Sequence, residues 1–254
     1  GREAARTNAA LASLMRAVVQ AHGLPEAAVT LIAPTHEAAE VLMTAEAYVD
    51  ALIPRGSARL IRAVREKARV PVIETGAGVC HIYVHADADV QQAAQIIANA
   101  KTRRVSVCNA LDCLLVHRAL ADQVEALLAP CVAQGVGVHT APEQWGTEWL
   151  SMNLSLRIVD SFTEAVDHIA AYGSGHSEAI LTQDMVLAQQ FCQVVDAACV
   201  YVNTPTSFTD GGEFGLGAEV GISTQKLHAR GPMGLAALTT SKWLITSNGA
   251  LRGR

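Results

Sequence analysis

The chain has 254 residues, half of them hydrophobic and only 17% charged, with a net charge of −5. That is enough apolar material for a substantial core in one large or two smaller domains. The acidic balance and scattered basic residues argue against nucleic-acid or membrane-surface binding, and no run approaches the roughly 18 uninterrupted apolar residues of a membrane span.

The opening residues are charged and amphipathic, without the apolar core and cleavage site of a signal peptide, which predicts a cytoplasmic protein. Residues 3–21 set Leu11, Leu14, Met15, Val18 and Val19 at helical spacing and run out at Gly23 and Pro25, a helix with a glycine stop. AAVTLIAP (27–34) reads as a short buried strand, 35–47 as a helix, and YVDALIPRGS (48–57) as a strand entering a Gly/Ser turn. ARLIRAVREKA (58–68) is a helix, VPVIETGAG (70–78) a strand and turn, CHIYVHAD (80–87) a strand, and ADVQQAAQIIANAK (88–101) a helix. Beyond residue 110 the alternation continues. LDCLLVH, LSLRIVDS, SEAILTQ and AACVYVN read as strands, and DQVEALLAPCVAQ, FTEAVDHIAAYG and MVLAQQFCQVV as helices. Strands alternating with helices of this length predict βαβ units in an α/β fold, with ligands at the carboxyl ends of parallel strands. The long Gly-rich stretch 202–223 is too polar and Gly-rich for a core segment and reads as a loop, functional or disordered.

The six cysteines, at 80, 108, 113, 131, 192 and 199, form no CxxC pair and no zinc-spaced cluster, so they read as reduced thiols with no metal. Cys108 follows Lys101, Arg103 and Arg104, and positive charge near a thiol favours the reactive thiolate. A buried core cysteine beside a solvated turn accounts for the same residues. The other five cysteines lie on apolar predicted elements and read as core. No dinucleotide GxGxxG, phosphate loop, GxSxG elbow or HExxH is present.

Several stretches in one order resemble the γ-glutamyl phosphate reductase (glutamate-5-semialdehyde dehydrogenase) family, a divergent branch of the aldehyde dehydrogenase superfamily. They are LIPRG (52–56), PVIETGAGVCHIYV (71–84), NAKTRRVSVCNA (99–110), YGSGHSEAIL (172–181), VYVN (200–203), FTDGGEFGLGAEVGISTQKLHARGPMGL (208–235) and ALTTSKW (237–243). The resemblance implies an aldehyde dehydrogenase-like α/β fold. A partial Rossmann-type cofactor domain (1–98) would precede an α/β catalytic domain (99–225) and a C-terminal return segment with a possible oligomerisation strand (226–254), where ITSNGAL reads as strand and turn.

The family reduces L-glutamyl 5-phosphate with NADPH to L-glutamate 5-semialdehyde, NADP and phosphate, the second step of proline biosynthesis. By resemblance Cys108 is the nucleophile that forms a thioester, a step suited to a thiol near neutral pH. Glu74 matches the superfamily's active-site glutamate and would shuttle a proton or position the nicotinamide. Glu148, in GTEWLS, matches the glutamate on the nicotinamide ribose, and Arg55, Gly56 and Ser57 stand where the chain turns beneath the dinucleotide. Arg103, Arg104 and His176 are the candidate substrate ligands, with Lys101 and Ser106 as lesser ones. Relatives of this kind are homo-oligomers, and coupling to a glutamate 5-kinase is implied.

Family members are longer, and GREAARTNAAL resembles a helix that in them follows a lysine-bearing strand of the cofactor domain. The absent part supplies nucleotide-sheet strands and an asparagine donor to the oxyanion, and losing one such donor costs roughly a hundred- to a thousandfold in rate. A polypeptide of these 254 residues alone is therefore expected to be inactive. Two other readings stay open: a hydrolytic or CoA-acylating aldehyde dehydrogenase with another substrate, and a non-catalytic fragment or scaffold.

Overall fold

A computed structural model describes residues 2–56 and 58–253. The chain divides between Ile73 and Glu74 into two compact units. The sequence reading puts this boundary at residue 98. It falls earlier because the strand at 80–84 lies in the middle of the second unit's sheet, hydrogen-bonded on both sides.

The first unit is helical. α1 (Ala5–Ala21) ends at Gly23, whose φ of 75° is open to glycine without strain. Its apolar stripe forms as expected, but Leu11, Leu14, Met15 and Val18 stay exposed. α2 (His36–Thr44) starts on Thr35, whose side chain accepts the Ala38 N–H. α3 spans Ala58–Lys67. The strand expected at 27–34 is not formed: Glu26–Ala28 is a single 3-10 turn, and Leu31 and Ile32 are exposed. The strands expected at 48–57 and 70–78 shrink to isolated bridges, the parallel Leu52 to Val72 within this unit and, beyond it, the antiparallel Thr75 to Ser223. A strand needs a neighbour to satisfy its backbone, and the Leu52–Val72 bridge is the extent of strand pairing among the described residues of the unit.

The second unit holds a six-stranded sheet, all parallel, in the order β3-β4-β2-β1-β5-β6. Its strands are β1 (Cys80–Val84), β2 (Leu111–His117), β3 (Gly137–His139), β4 (Asn153–Val159), β5 (Ser177–Leu181) and β6 (Cys199–Val202). Between them run α4 (Val90–Thr102), α5 (Val124–Val132), α6 (Phe162–Tyr172) and α7 (Met185–Val194). Asp89, Ser161 and Asp184 cap α4, α6 and α7 through their side chains. Both sheet faces are covered, so the strands read as continuous apolar runs.

Successive side chains alternate between two cores. Ile82, Val84, Leu114 and Val116 pack with Ile97, Leu127 and Leu128. Tyr83, Leu115 and Ile180 pack with Ile169 and Phe191. The second face also carries a polar row in register across four strands: Ser155, Cys113, His81 and Glu178. All four are buried, as is His168 of α6.

After β6 the chain forms a short antiparallel pair, β7 (Ile222–Ser223) with β8 (Gly231–Pro232). Toward the end, Ser247 accepts the Gly249 and Ala250 N–H groups, so the expected turn exists, but the strand at 245–251 does not. Ile245 and Leu251 are almost fully exposed, and no strand among the described residues pairs with this segment. Of the five cysteines read as core, Cys80, Cys113, Cys131 and Cys199 are buried and Cys192 is exposed. On α7 the buried positions are Ala188 and Phe191, and Cys192 falls one residue round from that face.

Candidate active site

Cys108 lies in the irregular turn between α4 and β2, half-buried. Around it gather residues that immediately precede or begin strands: Gly78 and Cys80 of β1, and His176 and Ser177 of β5. Glu148 comes from the segment before β4. The candidate residues thus collect at the amino edge of the sheet, not the carboxyl edge expected from parallel-sheet practice. The reason is local: Cys108 sits at the entry to β2, and its neighbours are whatever enters the strands on either side.

The backbone of Cys108 is tightly held. A Cβ added at Gly78 would stand 1.8 Å from the Cys108 carbonyl oxygen, so only glycine allows the two backbones to meet. The Gly78 N–H donates to Glu148 Oε1 at 2.9 Å, which ties the half-buried carboxylate to the same spot. Cys80 donates from Sγ to the Cys108 carbonyl at 3.2 Å. Burial pushes the Cys80 thiol well above its ordinary pKa, helped by the nearby Glu178, Asp112 and Cys108, so it keeps the proton that this bond requires.

His176 is fully buried, with Nδ1 3.8 Å from Cys80 Sγ and 2.7 Å from Ser177 Oγ. Desolvation lowers its pKa to about 4, so it is a neutral imidazole at neutral pH. Its Nε2 has no hydrogen-bond partner among the described residues. A hydroxyl chain runs on from Ser177 Oγ to Thr209 Oγ1 (2.6 Å) and from there to the Tyr201 hydroxyl (2.7 Å).

The basic run that precedes Cys108 does not act as one group. Lys101 is fully buried and pairs with Asp112 at 3.5 Å, while Asp112 also accepts the Trp149 N–H. Desolvation raises Asp112 to about 6 against the pull of Lys101, and desolvation lowers Lys101 against the pull of Asp112. Arg103, Arg104 and Ser106 are exposed, and Arg103 Nη2 reaches the Ser207 carbonyl at 3.5 Å. Glu74 is 8% exposed, and its N–H donates to Gln225 Oε1.

The structure therefore brings Cys108, Glu148 and His176 together through Gly78 and Cys80, and ties Arg103 to the loop that Cys108's neighbour Asn109 also binds. Arg55 and Gly56 lie in the first unit, exposed, just ahead of α3. Ser57 lies outside the described residues. Sequence reading missed Gly78, Cys80, Asn109, Ser177 and Thr209. All five stand within stretches already singled out, but nothing in spacing links Gly78 to Cys108 and Glu148, 30 and 70 residues on, or Asn109 to Ser207 and Thr209, 98 and 100 residues on.

One trio of possible metal donors lies together among the described residues: His81, Cys113 and His168. Arg157 Nη1 donates to His168 Nδ1 at 2.7 Å, which leaves the imidazole proton on Nε2, 3.5 Å from Cys113 Sγ. His81 gives its Nδ1–H to Glu178 Oε2 at 3.1 Å. With Glu178 and Arg157 the trio forms a hydrogen-bonded network whose two histidines are already oriented by protein partners.

The sequence pattern of the aldehyde dehydrogenase family matches residues 2–147. A γ-glutamyl phosphate reductase of Symbiobacterium thermophilum is 49% identical, the match covering 99% of this chain and 66% of the relative. One of Chlorobium limicola is 47% identical, covering 99% and 65%. The chain thus spans about two thirds of the length of these relatives. Among solved structures, γ-glutamyl phosphate reductase of Thermotoga maritima superposes with a TM-score of 0.94 at 39% identity, over 100% of this chain and 65% of that one. An acetylating aldehyde dehydrogenase of Geobacillus thermoglucosidasius shares the fold, with a TM-score of 0.70 at 18% identity over 93% of this chain and 66% of that one.

Proposed function

The chain belongs to the aldehyde dehydrogenase family, and from that premise we propose that the intact protein is a γ-glutamyl phosphate reductase. It reduces L-glutamyl 5-phosphate to L-glutamate 5-semialdehyde and phosphate, using NADPH, in proline biosynthesis. The observation that carries this reading is the seat of Cys108: a half-buried thiol whose backbone is gripped by Gly78 and Cys80, in a chain 49% identical to a relative of that name.

In this mechanism the Cys108 thiolate attacks the acyl-phosphate carbon and phosphate leaves with the electron pair of the broken C–O bond. The thioester that remains on Cys108 is still reactive toward hydride. NADPH supplies the hydride when bound. Glu148 suits a ribose clamp: its Oε1 is already fixed by the Gly78 N–H, and a carboxylate keeps further lone pairs for two adjacent hydroxyls. Arg55, Gly56 and Ser57, ahead of α3, would hold the dinucleotide phosphates. Once the carbonyl has been reduced, collapse of the resulting alkoxide breaks the C–S bond, frees the aldehyde and returns the thiolate.

Arg103 and Arg104, exposed beside the turn, are assigned to the substrate's phosphate or α-carboxylate. His176 is assigned to the substrate as a neutral donor, and Glu74 to proton transfer. Water must be kept out, since hydrolysis of the thioester wastes the activated acyl group. The protein is proposed to be a cytoplasmic homo-oligomer coupled to a glutamate 5-kinase. Among the described residues no helix is long and apolar enough to cross a membrane.

The test follows NADPH formation by the intact gene product from glutamate 5-semialdehyde and NADP, with and without phosphate. Turnover should require phosphate and fall by at least about a thousandfold in Cys108→Ala. The 254-residue polypeptide alone should show none. Turnover without phosphate would move the protein to the hydrolytic aldehyde dehydrogenases, and its absence in the folded intact protein would favour a scaffold.

A further inference from the structure

We propose that Asn109 and Thr206 are positioning residues that fix the Cys108 nucleophile by clamping its turn to the segment 206–209. The kinetic part of this inference rests on the reductase reading above.

The turn between α4 and β2 has no ladder of its own to hold it. Gly78 and Cys80 grip the Cys108 carbonyl from β1, and the next residue is held by a different part of the chain. Asn109 Nδ2 donates to the Ser207 carbonyl at 3.2 Å and to the Thr209 carbonyl at 3.0 Å. Thr206 Oγ1 donates in return to the Asn109 carbonyl at 2.8 Å. The far side of this clamp is anchored in its turn. Thr209 Oγ1 lies 2.6 Å from Ser177 Oγ of β5 and 2.7 Å from the Tyr201 hydroxyl of β6. Cys108 is thus fixed from β1 on one side and, through Asn109, from β5 and β6 on the other.

The clamp is dry. Asn109 is 6% exposed and Thr206 fully buried, so a lost donor leaves its acceptor carbonyl without water to replace it. A thiol that must approach an acyl carbon from one face of the carbonyl plane loses rate steeply with small misplacement. A loosened clamp therefore yields a cysteine that reagents reach more easily and the substrate uses less well.

The experiment compares Thr206→Val, which removes Oγ1 at nearly constant volume, with Thr206→Ser, which keeps it, in the intact gene product. Three quantities are read well below the melting temperature: kcat, KM for glutamate 5-semialdehyde, and the iodoacetamide alkylation rate of Cys108 followed by mass spectrometry. Thr206→Val should lower kcat on the order of tenfold while KM stays within about twofold, and should speed alkylation by about threefold or more. Thr206→Ser should restore both. Asn109→Ala should exceed Thr206→Val in each measure.

A Thr206→Val protein with unchanged kcat and alkylation overturns the clamp. So does an equal defect in Thr206→Ser, which would make the missing methyl the cause. Alkylation reads the clamp even in a protein that turns nothing over. A failed reductase reading would show instead as no phosphate-dependent turnover in the unsubstituted protein.

Discussion

At the amino edge of the six-stranded sheet, Gly78, Cys80, Cys108, Glu148 and His176 converge around a buried imidazole nitrogen that has no partner among the described residues. At the carboxyl edge of the same strands, similar side chains are bonded to one another. The Tyr83 hydroxyl meets His85 Nδ1 at 2.8 Å, and the His85 and His117 rings pack edge to face. Asp87 accepts from the Thr182 hydroxyl and the Gln183 N–H, and Asn203 exchanges two bonds with the Thr182 backbone. One edge leaves polar capacity for a ligand, and the other spends it on closing the ends of the strands. Residue type alone does not separate a site from a seam; what separates them is whether the bonds are already made.

The difference can be broken most severely at Gly78. Gly78→Ala forces a methyl onto the Cys108 carbonyl, and turnover should fall by about a hundredfold or more. The check is kcat beside a thermal melt, and turnover within about twofold of the unsubstituted protein would contradict the described backbone contact.

The polar row between the edges is a second way to sharpen the contrast, through pH. Desolvation alone would lower His81, but the Glu178 charge and hydrogen bond outweigh it and raise the imidazole to about 10. The folded protein therefore holds this proton more tightly than the unfolded chain. Its contribution is complete below the ordinary value of 6.5 and is lost as pH rises from there to about 10. His168 works on the acid side. Held down to about 3, chiefly by desolvation and then by His81 and Arg157, it contributes above 6.5 and loses that contribution as pH falls. Thermal melts from pH 6.5 to 10 should show a steady decline that Glu178→Gln largely removes. An equal decline in the variant would place its source elsewhere.

The smallest effect belongs to the carboxyl edge. Asp87→Ala should cost about 1 kcal/mol of stability through the lost Thr182 and Gln183 bonds, with kcat unchanged in the intact protein. A large loss of turnover there would erase the distinction between the two edges.

Much of the second unit was legible because each of its elements carries its own periodicity and punctuation. LDCLLVH is apolar on both faces, as a central parallel strand must be, and Ser161 and Asp184 announce the helices that follow them. AAVTLIAP carries the same kind of apolar run and forms no strand, since a run cannot say whether a partner lies beside it. The resemblance singled out Cys108, Glu148 and His176, which the structure places together, but not the contacts that hold them there. Asn109 finds its partners 97 to 100 residues downstream and His81 finds Glu178 at a separation of 97, distances over which local pattern has nothing to say. Lys101 misled because charge in a sequence reads as surface, and here it is neutralised by Asp112 in the interior.

The reach of that clamp also sets a timetable. A ribosome adding about 5–20 residues per second needs roughly 5–20 s to pass from Cys108 to Thr209. Throughout that interval the emerging Cys108 has none of the downstream residues that hold its turn. The cysteine takes its folded position only after β5, β6 and the segment beyond them have been made, and a chain released early carries an unpositioned thiol.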